Sequence, residues 1–146
     1  MKRMAMITFL LITCLTLTAP SGVTRLNIQA GEMLYAYNVS DSFLRAVIRY
    51  ESNYNPSAVN PVSKARGLLQ ITPVMIKEVN KYSDTRYTWN DAFDPMKSIE
   101  MWNIIMQAKN PEGYWDKMCR LWFGTGVQYN GMSWEDYYMK VVKLIN

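Results

Sequence analysis

Asp41 to Glu51 reads DSFLRAVIRYE. Leu44, Val47, Ile48 and Glu51 follow the i, i+3, i+4, i+7 spacing that places side chains on one face of an α-helix. An apolar stripe of this kind belongs against a core. Ser40 or Asp41 supplies the cap, a residue type whose side-chain oxygen accepts a free amide of the first turn. The stripe ends in an acid. Glu51 falls near the helix C-terminus, the negative end of the macrodipole, which disfavours a second negative charge. Partial burial and the dipole both push a carboxyl pKa upward. A carboxyl that holds its proton near neutral pH is what a general acid requires. The plainer reading puts Glu51 at the edge of the stripe, reaching solvent; the residues that follow it weigh against that.

Outward from this helix the chain continues to read as helical. Asn53 to Arg66 is rich in Asn, Ser and Pro and predicts a loop. Pro73 opens a helix, which its fixed φ favours, running to about Tyr82, and Ser83 to Asp94 predicts a second loop. Pro95 to Lys109 is apolar on several sides, with Ile99, Met101, Trp102, Ile104, Ile105, Met106 and Ala108. A helix of that kind is usually buried. Asp94 is placed to cap it, and Asn110-Pro111 breaks it. Glu112 to Phe123 predicts a further helix, ended by Gly124-Thr125-Gly126. Ser133 opens a last one with Trp134, Tyr137, Tyr138, Val141 and Ile145 on its inner side. Upstream, Arg25 to Tyr37 predicts a short helix with Leu26, Ala30, Met33 and Leu34 together. No strand pattern, repeat or low-complexity segment is evident, so the fold class is all-α.

The first residues read as an address. Lys2-Arg3 precedes an apolar run from Met4 to Leu17 and then Thr18-Ala19-Pro20-Ser21-Gly22. This order describes a secretory signal peptide over residues 1–22, with the folded domain at 23–146. The alternative is an uncleaved anchor, because Leu17 spoils the cleavage pattern, although the run is short for a membrane span. Leu11-Ile12-Thr13-Cys14 is a poor lipidation box. A chain of 146 residues supports one domain with its own core.

Composition excludes several chemistries. The chain has no His, which removes His-dependent triads, His-bearing zinc sites and His general bases. A carboxyl group is then the natural proton-transfer residue, and no metal or cofactor is expected. Of the 2 cysteines, Cys14 leaves with the signal. Cys119, on a stripe with Trp115 and Trp122, reads as a buried structural thiol. Formal net charge is +4, or +2 without Lys2 and Arg3, and the charges are scattered. Nucleic-acid binding is therefore not expected. A mild positive balance suits an anionic partner.

The run from Phe43 to Pro73, FLRAVIRYESNYNPSAVNPVSKARGLLQITP, carries a further signal. Glu51-Ser52, Asn55-Pro56, Ala58-Val59 and Gly67-Leu68-Leu69-Gln70-Ile71-Thr72-Pro73 resemble the catalytic core of the lytic transglycosylases, relatives of goose-type lysozyme that cut bacterial peptidoglycan. Phe93-Asp94-Pro95 with Ile99 resembles a second block of that family. Tyr37-Asn38-Val39-Ser40 resembles the segment preceding its catalytic helix. The resemblance covers roughly residues 35 to 146, and the Glu-Ser to Gly-Leu-x-Gln pair is specific.

The resemblance implies a lysozyme-like helical domain with a two-lobed substrate cleft, acting as a monomer on peptidoglycan glycan strands. It implies cleavage of the MurNAc–GlcNAc β-1,4 bond with 1,6-anhydromuramoyl products, Glu51 serving as acid and then as base. The N-terminal signal implies a secreted or periplasmic location, with membrane contact only through an uncleaved N-terminal anchor. Gln70 matches the family Gln that faces the cleft, and Asn60 stands where relatives often carry a Ser that contacts substrate. Leu69 and Thr72, on the same cleft wall, are expected substrate contacts. The family has an Ala-Tyr-Asn-Ala-Gly motif whose Tyr hydroxyl sits near the acid, but here the region reads Leu121-Trp122-Phe123-Gly124-Thr125-Gly126. Trp122 or Phe123 fills the place of that ring, or Tyr129 loops back with a hydroxyl. Glu78, Asp84, Asp91, Asp94, Asp116 and Asp136 read as caps, loops or solvated faces, so no second catalytic carboxylate is evident. A lysozyme-type hydrolase and a non-catalytic peptidoglycan-binding protein are the alternatives. A binder has no need of a protonated acid.

Overall fold

A computed structural model describes residues 41–124 and 131–145. The expected signal and the Arg25 to Tyr37 helix lie outside these residues. The described chain forms five α-helices and one 3-10 helix: α1 Ser42–Ser52, α2 Pro73–Val79, the 3-10 helix Trp89–Phe93, α3 Pro95–Lys109, α4 Trp115–Phe123 and α5 Trp134–Val142. No strand occurs among the described residues; extended pairing is limited to the isolated bridges Val59–Arg66 and Arg66–Ile71. The all-α reading holds.

Capping chemistry sets most of the starts. The Asp41 carboxylate accepts from Phe43 N at 2.8 Å and Leu44 N at 3.3 Å, satisfying amides that have no partner inside α1. Thr72 accepts from Met75 N ahead of Pro73, Asp94 from Met96 N and Lys97 N, and Ser133 from Asp136 N. α1 buries Phe43, Leu44, Ala46, Val47 and Ile48, and α5 packs on both α4 and α1. α3 leans on α2 and on the 3-10 helix. The shared core includes Leu68, Leu69, Ile71, Met101, Trp102, Ile105 and Cys119. Cys119 is a buried free thiol, as expected.

Three boundaries differ from the sequence reading, each for a local reason. α2 stops at Val79 rather than near Tyr82. The Asn80 carboxamide clasps the backbone of Tyr87, accepting from its N–H at 2.8 Å and donating to its C=O at 2.9 Å, which folds the chain back. The expected loop before Asp94 contains the 3-10 helix, whose start is held by Asp91 accepting from the Thr88 N–H and hydroxyl at 2.7 Å each. α4 begins at Trp115 rather than Glu112, because buried Asn110 bonds both the N–H and the C=O of Tyr114. α3 is also less enclosed than its composition suggests: Met96 remains 52% exposed, and burial is confined to one side through Ser98, Met101, Trp102, Ile105 and Met106.

The segment between α1 and α2 forms one wall of the site and is held from several directions. α1 ends on Asn53 at φ 49, followed by Tyr54 at φ 64. The left-handed region is mild for Asn and costly for a bulky ring; Tyr54 is kept there by packing against the core. Farther on, the Arg66 guanidinium lies 3.3 Å above the Trp89 ring and 5.0 Å from that of Phe93, with Nη1 donating to Asn90 Oδ1 at 2.7 Å. Such a stack joins loop to 3-10 helix through charge and ring quadrupole together. Gly67 sits beside this staple at φ +75, and a Cβ there would lie 1.7 Å from the Ala92 carbonyl oxygen. That oxygen also accepts from the buried Ser98 hydroxyl at 2.8 Å, so it is not free to move aside. Gly67→Ala is therefore expected to destabilise the fold by more than about 2 kcal/mol. Urea or thermal unfolding of the variant measures it, and a loss near that of an ordinary surface substitution would contradict the close approach.

Candidate active site

Glu51 occupies the last turn of α1, where the apolar stripe meets a pocket of about 610 Å³. The pocket is walled by Tyr50 and Glu51 from α1, by Asn60, Ser63, Ala65, Gln70 and Thr72 from the following segment, and by Trp122, Phe123, Met132 and Tyr137 from the C-terminal part. Glu51 Oε1 accepts from the Tyr137 hydroxyl at 2.6 Å. Burial is the main influence on this carboxyl and raises its pKa from the ordinary 4.5 to about 7; the Tyr137 hydrogen bond works in the opposite direction. Tyr137 is itself held well above the ordinary tyrosine range, first by burial and then by the charge of Glu51. It is a neutral donor throughout the physiological range.

Rings fix the geometry of this pair. Tyr50 meets Tyr137 edge-on at 5.0 Å and Phe123 lies 5.3 Å from it, separations at which aromatic pairs attract. The Tyr50 hydroxyl donates to Met132 Sδ at 3.4 Å. Its pKa is also raised, by burial and then by Glu51. Behind the pair the Cys119 thiol is pushed up to about 12 by burial, with a smaller contribution from the charge of Glu51. It is inert as a nucleophile.

The structure places the residues singled out from sequence as follows. Asn60, Gln70, Thr72, Trp122 and Phe123 line the pocket with Glu51. The Asn60 Oδ1 accepts from Val62 N at 2.9 Å and Ser63 N at 3.1 Å, so that end of the amide shapes the loop and the nitrogen is left for a ligand. Gln70 is arranged the other way round. Its backbone is left-handed at φ 49, and Nε2 donates to Gly67 O at 3.0 Å and Ala58 O at 3.4 Å, leaving the oxygen. Thr72 serves both the pocket and the α2 cap. Leu69 is not among the residues lining the pocket: its side chain is fully buried, and its carbonyl accepts from Trp122 Nε1 at 3.0 Å. Trp122 thus ties α4 to the loop while packing 4.6 Å from Trp102. Tyr129 lies outside the described residues.

Tyr137 is the residue that the sequence analysis left as core. A signal was available. A tyrosine on a buried stripe must find a partner for its hydroxyl, and Glu51 is the acid on the stripe of another helix. Ser63 and Met132 also line the pocket without having been singled out.

Among the described residues Glu51 is the sole acid lining the pocket. Several of the others are committed elsewhere. Glu78 bridges Lys81 and Lys109 at 2.6 Å each, and these ammonium groups hold its carboxyl down to about 2. Asp91 is likewise held down to about 2, mainly by Lys97. Asp94 and Asp136 are caps.

A family model of the transglycosylase SLT domain matches residues 28–119. The chain belongs to the transglycosylase SLT family. The match takes in Glu51, Gln70 and the whole wall between α1 and α2, and it ends before Trp122, Phe123 and Tyr137. No curated protein and no solved structure matches the chain. Membership brings a lysozyme-like fold and, in general, lytic transglycosylase activity on peptidoglycan.

The setting of Glu51 in this SLT domain has a consequence for stability. A carboxyl raised from 4.5 to about 7 stabilises the fold fully below about pH 4.5, and that contribution is lost as pH rises through 7. Glu51→Gln keeps an oxygen for Tyr137 and carries no charge. The variant should match wild type near pH 4.5 and exceed it above pH 7, by at most roughly 3 kcal/mol. Denaturant unfolding at the two pH values checks this; a variant no more stable than wild type at pH 8 would show that the carboxylate is well solvated.

Proposed function

We propose that Glu51 cleaves the MurNAc–GlcNAc β-1,4 bond of peptidoglycan without water, leaving a 1,6-anhydromuramoyl end. The observation that carries this is the lone carboxyl: Glu51 is half-buried, raised to about 7, bonded by Tyr137, and without a second acid in its pocket among the described residues. Ordinary glycosidases need two carboxylates. Here Glu51 gives its proton to the bridging oxygen as the glycosidic bond breaks and positive charge gathers on the muramoyl anomeric carbon. The resulting carboxylate takes the proton of the sugar's own 6-hydroxyl as that oxygen closes on the anomeric carbon. Glu51 is returned to its acid form and no water is consumed. Tyr137 stabilises the carboxylate in mid-cycle. Asn60 through its nitrogen, Gln70 through its oxygen and Thr72 position the sugars, while Trp122 and Phe123 supply apolar walls. The substrate lies in the cell wall, so we place the site of action in the periplasm or outside the cell, reached through the signal at residues 1–22 and with 23–146 as the acting domain.

The chemical ends of the released muropeptides test the reading. Anhydro ends are expected; reducing ends alone would mean a hydrolase that activates water, and no release would mean a binding protein. Glu51→Gln should lower turnover by roughly two to four orders of magnitude while remaining folded. A variant cutting at near wild-type rate would remove Glu51 from the role.

Tyr137→Phe separates positioning from chemistry. Loss of the bond that favours the carboxylate should move the alkaline fall in activity to higher pH and slow turnover by about tenfold, the equivalent of one hydrogen bond to a charged group. An unchanged pH–rate profile would assign Tyr137 to packing alone.

A further inference from the structure

A second pocket, of about 350 Å³, is lined by Gly131, Met132, Asp136, Met139, Lys140 and Lys143. It shares Met132 with the pocket of Glu51. The Met132 sulfur accepts from the Tyr50 hydroxyl at 3.4 Å on one side and from the Lys140 ammonium at 3.1 Å on the other. One side chain thus stands between the two sites.

The charges of the second pocket are unevenly committed. Asp136 Oδ2 accepts from Ser133 N at 3.0 Å and closes the capping box of α5. Its carboxyl is held below the ordinary range chiefly by these bonds to Ser133. Neither Lys140 nor Lys143 has a carboxylate within ion-pair distance among the described residues. Met139, 54% exposed, adds an apolar side. The lining therefore sets two ammonium groups against the one carboxylate of Asp136, whose charge Lys140 also favours, and adds a flexible thioether; the net positive balance suits a ligand with a carboxylate and a small apolar part.

In the cell wall the glycan itself has no such group, since its N-acetylated sugars are neutral and the lactyl carboxyl of each stem-bearing muramic acid is tied up in the amide to the stem. The peptide stem does. It hangs from the lactyl ether of muramic acid, the sugar whose anomeric carbon reacts, and it carries free carboxylates beside small aliphatic side chains. We propose that the Lys140–Lys143 pocket takes a carboxylate of the peptide stem and makes the enzyme prefer stem-bearing glycan. This rests on the reading of Glu51 given above and deepens it.

Two substrates test the inference: soluble glycan strands with their stems, and the same strands stripped of stems by an amidase and then methylamidated at the lactyl carboxylates that the amidase exposes. Wild type should show a kcat/KM about tenfold higher on the stem-bearing strands, an advantage that shrinks with added salt because exposed charges are screened. Lys140→Ala/Lys143→Ala should cut both strands alike, at the wild-type rate on bare strands, and Lys140→Arg/Lys143→Arg should keep the preference. Equal, measurable wild-type rates on the two, or an intact preference in the alanine pair, would overturn the inference. Binding is measured in parallel on Glu51→Gln protein, with and without the alanine pair, by co-sedimentation with each strand. Stem-dependent binding that vanishes with the alanine pair supports the pocket even if wild type cuts neither strand, a result that would instead defeat the role of Glu51. Equal binding to both strands overturns the pocket whatever the cleavage result.

Discussion

The contact on which the site depends is a single hydrogen bond, from the hydroxyl of Tyr137 to Oε1 of Glu51 at 2.6 Å, joining residues 86 positions apart. An acid at the end of an apolar stripe is easy to keep protonated and hard to keep ionised, because burial penalises the charge. The reaction proposed for Glu51 alternates the two forms and needs both within reach. On that proposal the apolar wall serves the first and Tyr137 the second. The bond exists only if α5 is seated on α1 and α4, and the contacts that seat it are the rings around it, Tyr50 edge-on and Phe123 alongside.

Two duties that the family resemblance assigns to one region are divided here between helices. The end of α4 carries rings without a hydroxyl. Trp122 is occupied in holding the Leu69 carbonyl, and Phe123 braces Tyr137. The hydroxyl beside the acid comes instead from α5, beyond the stretch that the family model matches. The departure from the family motif at Leu121 to Gly126 therefore does not leave the acid without a donor.

Local chemistry made much of the fold legible. Asp41, Asp94 and Ser133 announced their helices because a cap is a contact between near neighbours, and the stripe ending in Glu51 told how that acid would be surrounded. Boundaries set by an interaction at longer range were not legible. The clasp of Asn80 on Tyr87 shortens α2, and nothing in Lys81-Tyr82 signals it. The pairing of Tyr137 with Glu51 was half legible: the inner stripe foretold burial and hence a need for a partner, but which acceptor it meets depends on how α5 docks. Leu69 shows a different limit. A motif gives the position of a residue, not which of its atoms is used, and here the carbonyl is engaged while the side chain fills the core. The same holds for Asn60 and Gln70, whose amides present opposite ends to the pocket because the loop claims the oxygen of one and the nitrogen of the other.

The wall between α1 and α2 is bonded largely to itself. Asn60 holds its own turn, Gln70 holds Gly67 and Ala58, the bridges run through Arg66, and Gly67 is pressed on the Ala92 carbonyl. Ordering a segment of this length costs conformational entropy of about 1–2 kcal/mol per residue. That cost is met when the protein folds rather than when a glycan arrives. A sugar chain bound as proposed would meet one side already rigid, so little of its binding energy would be consumed in arranging the protein. The left-handed backbone at Tyr54, Lys64 and Gln70 is the strain left by that arrangement, borne by the free protein before any ligand arrives.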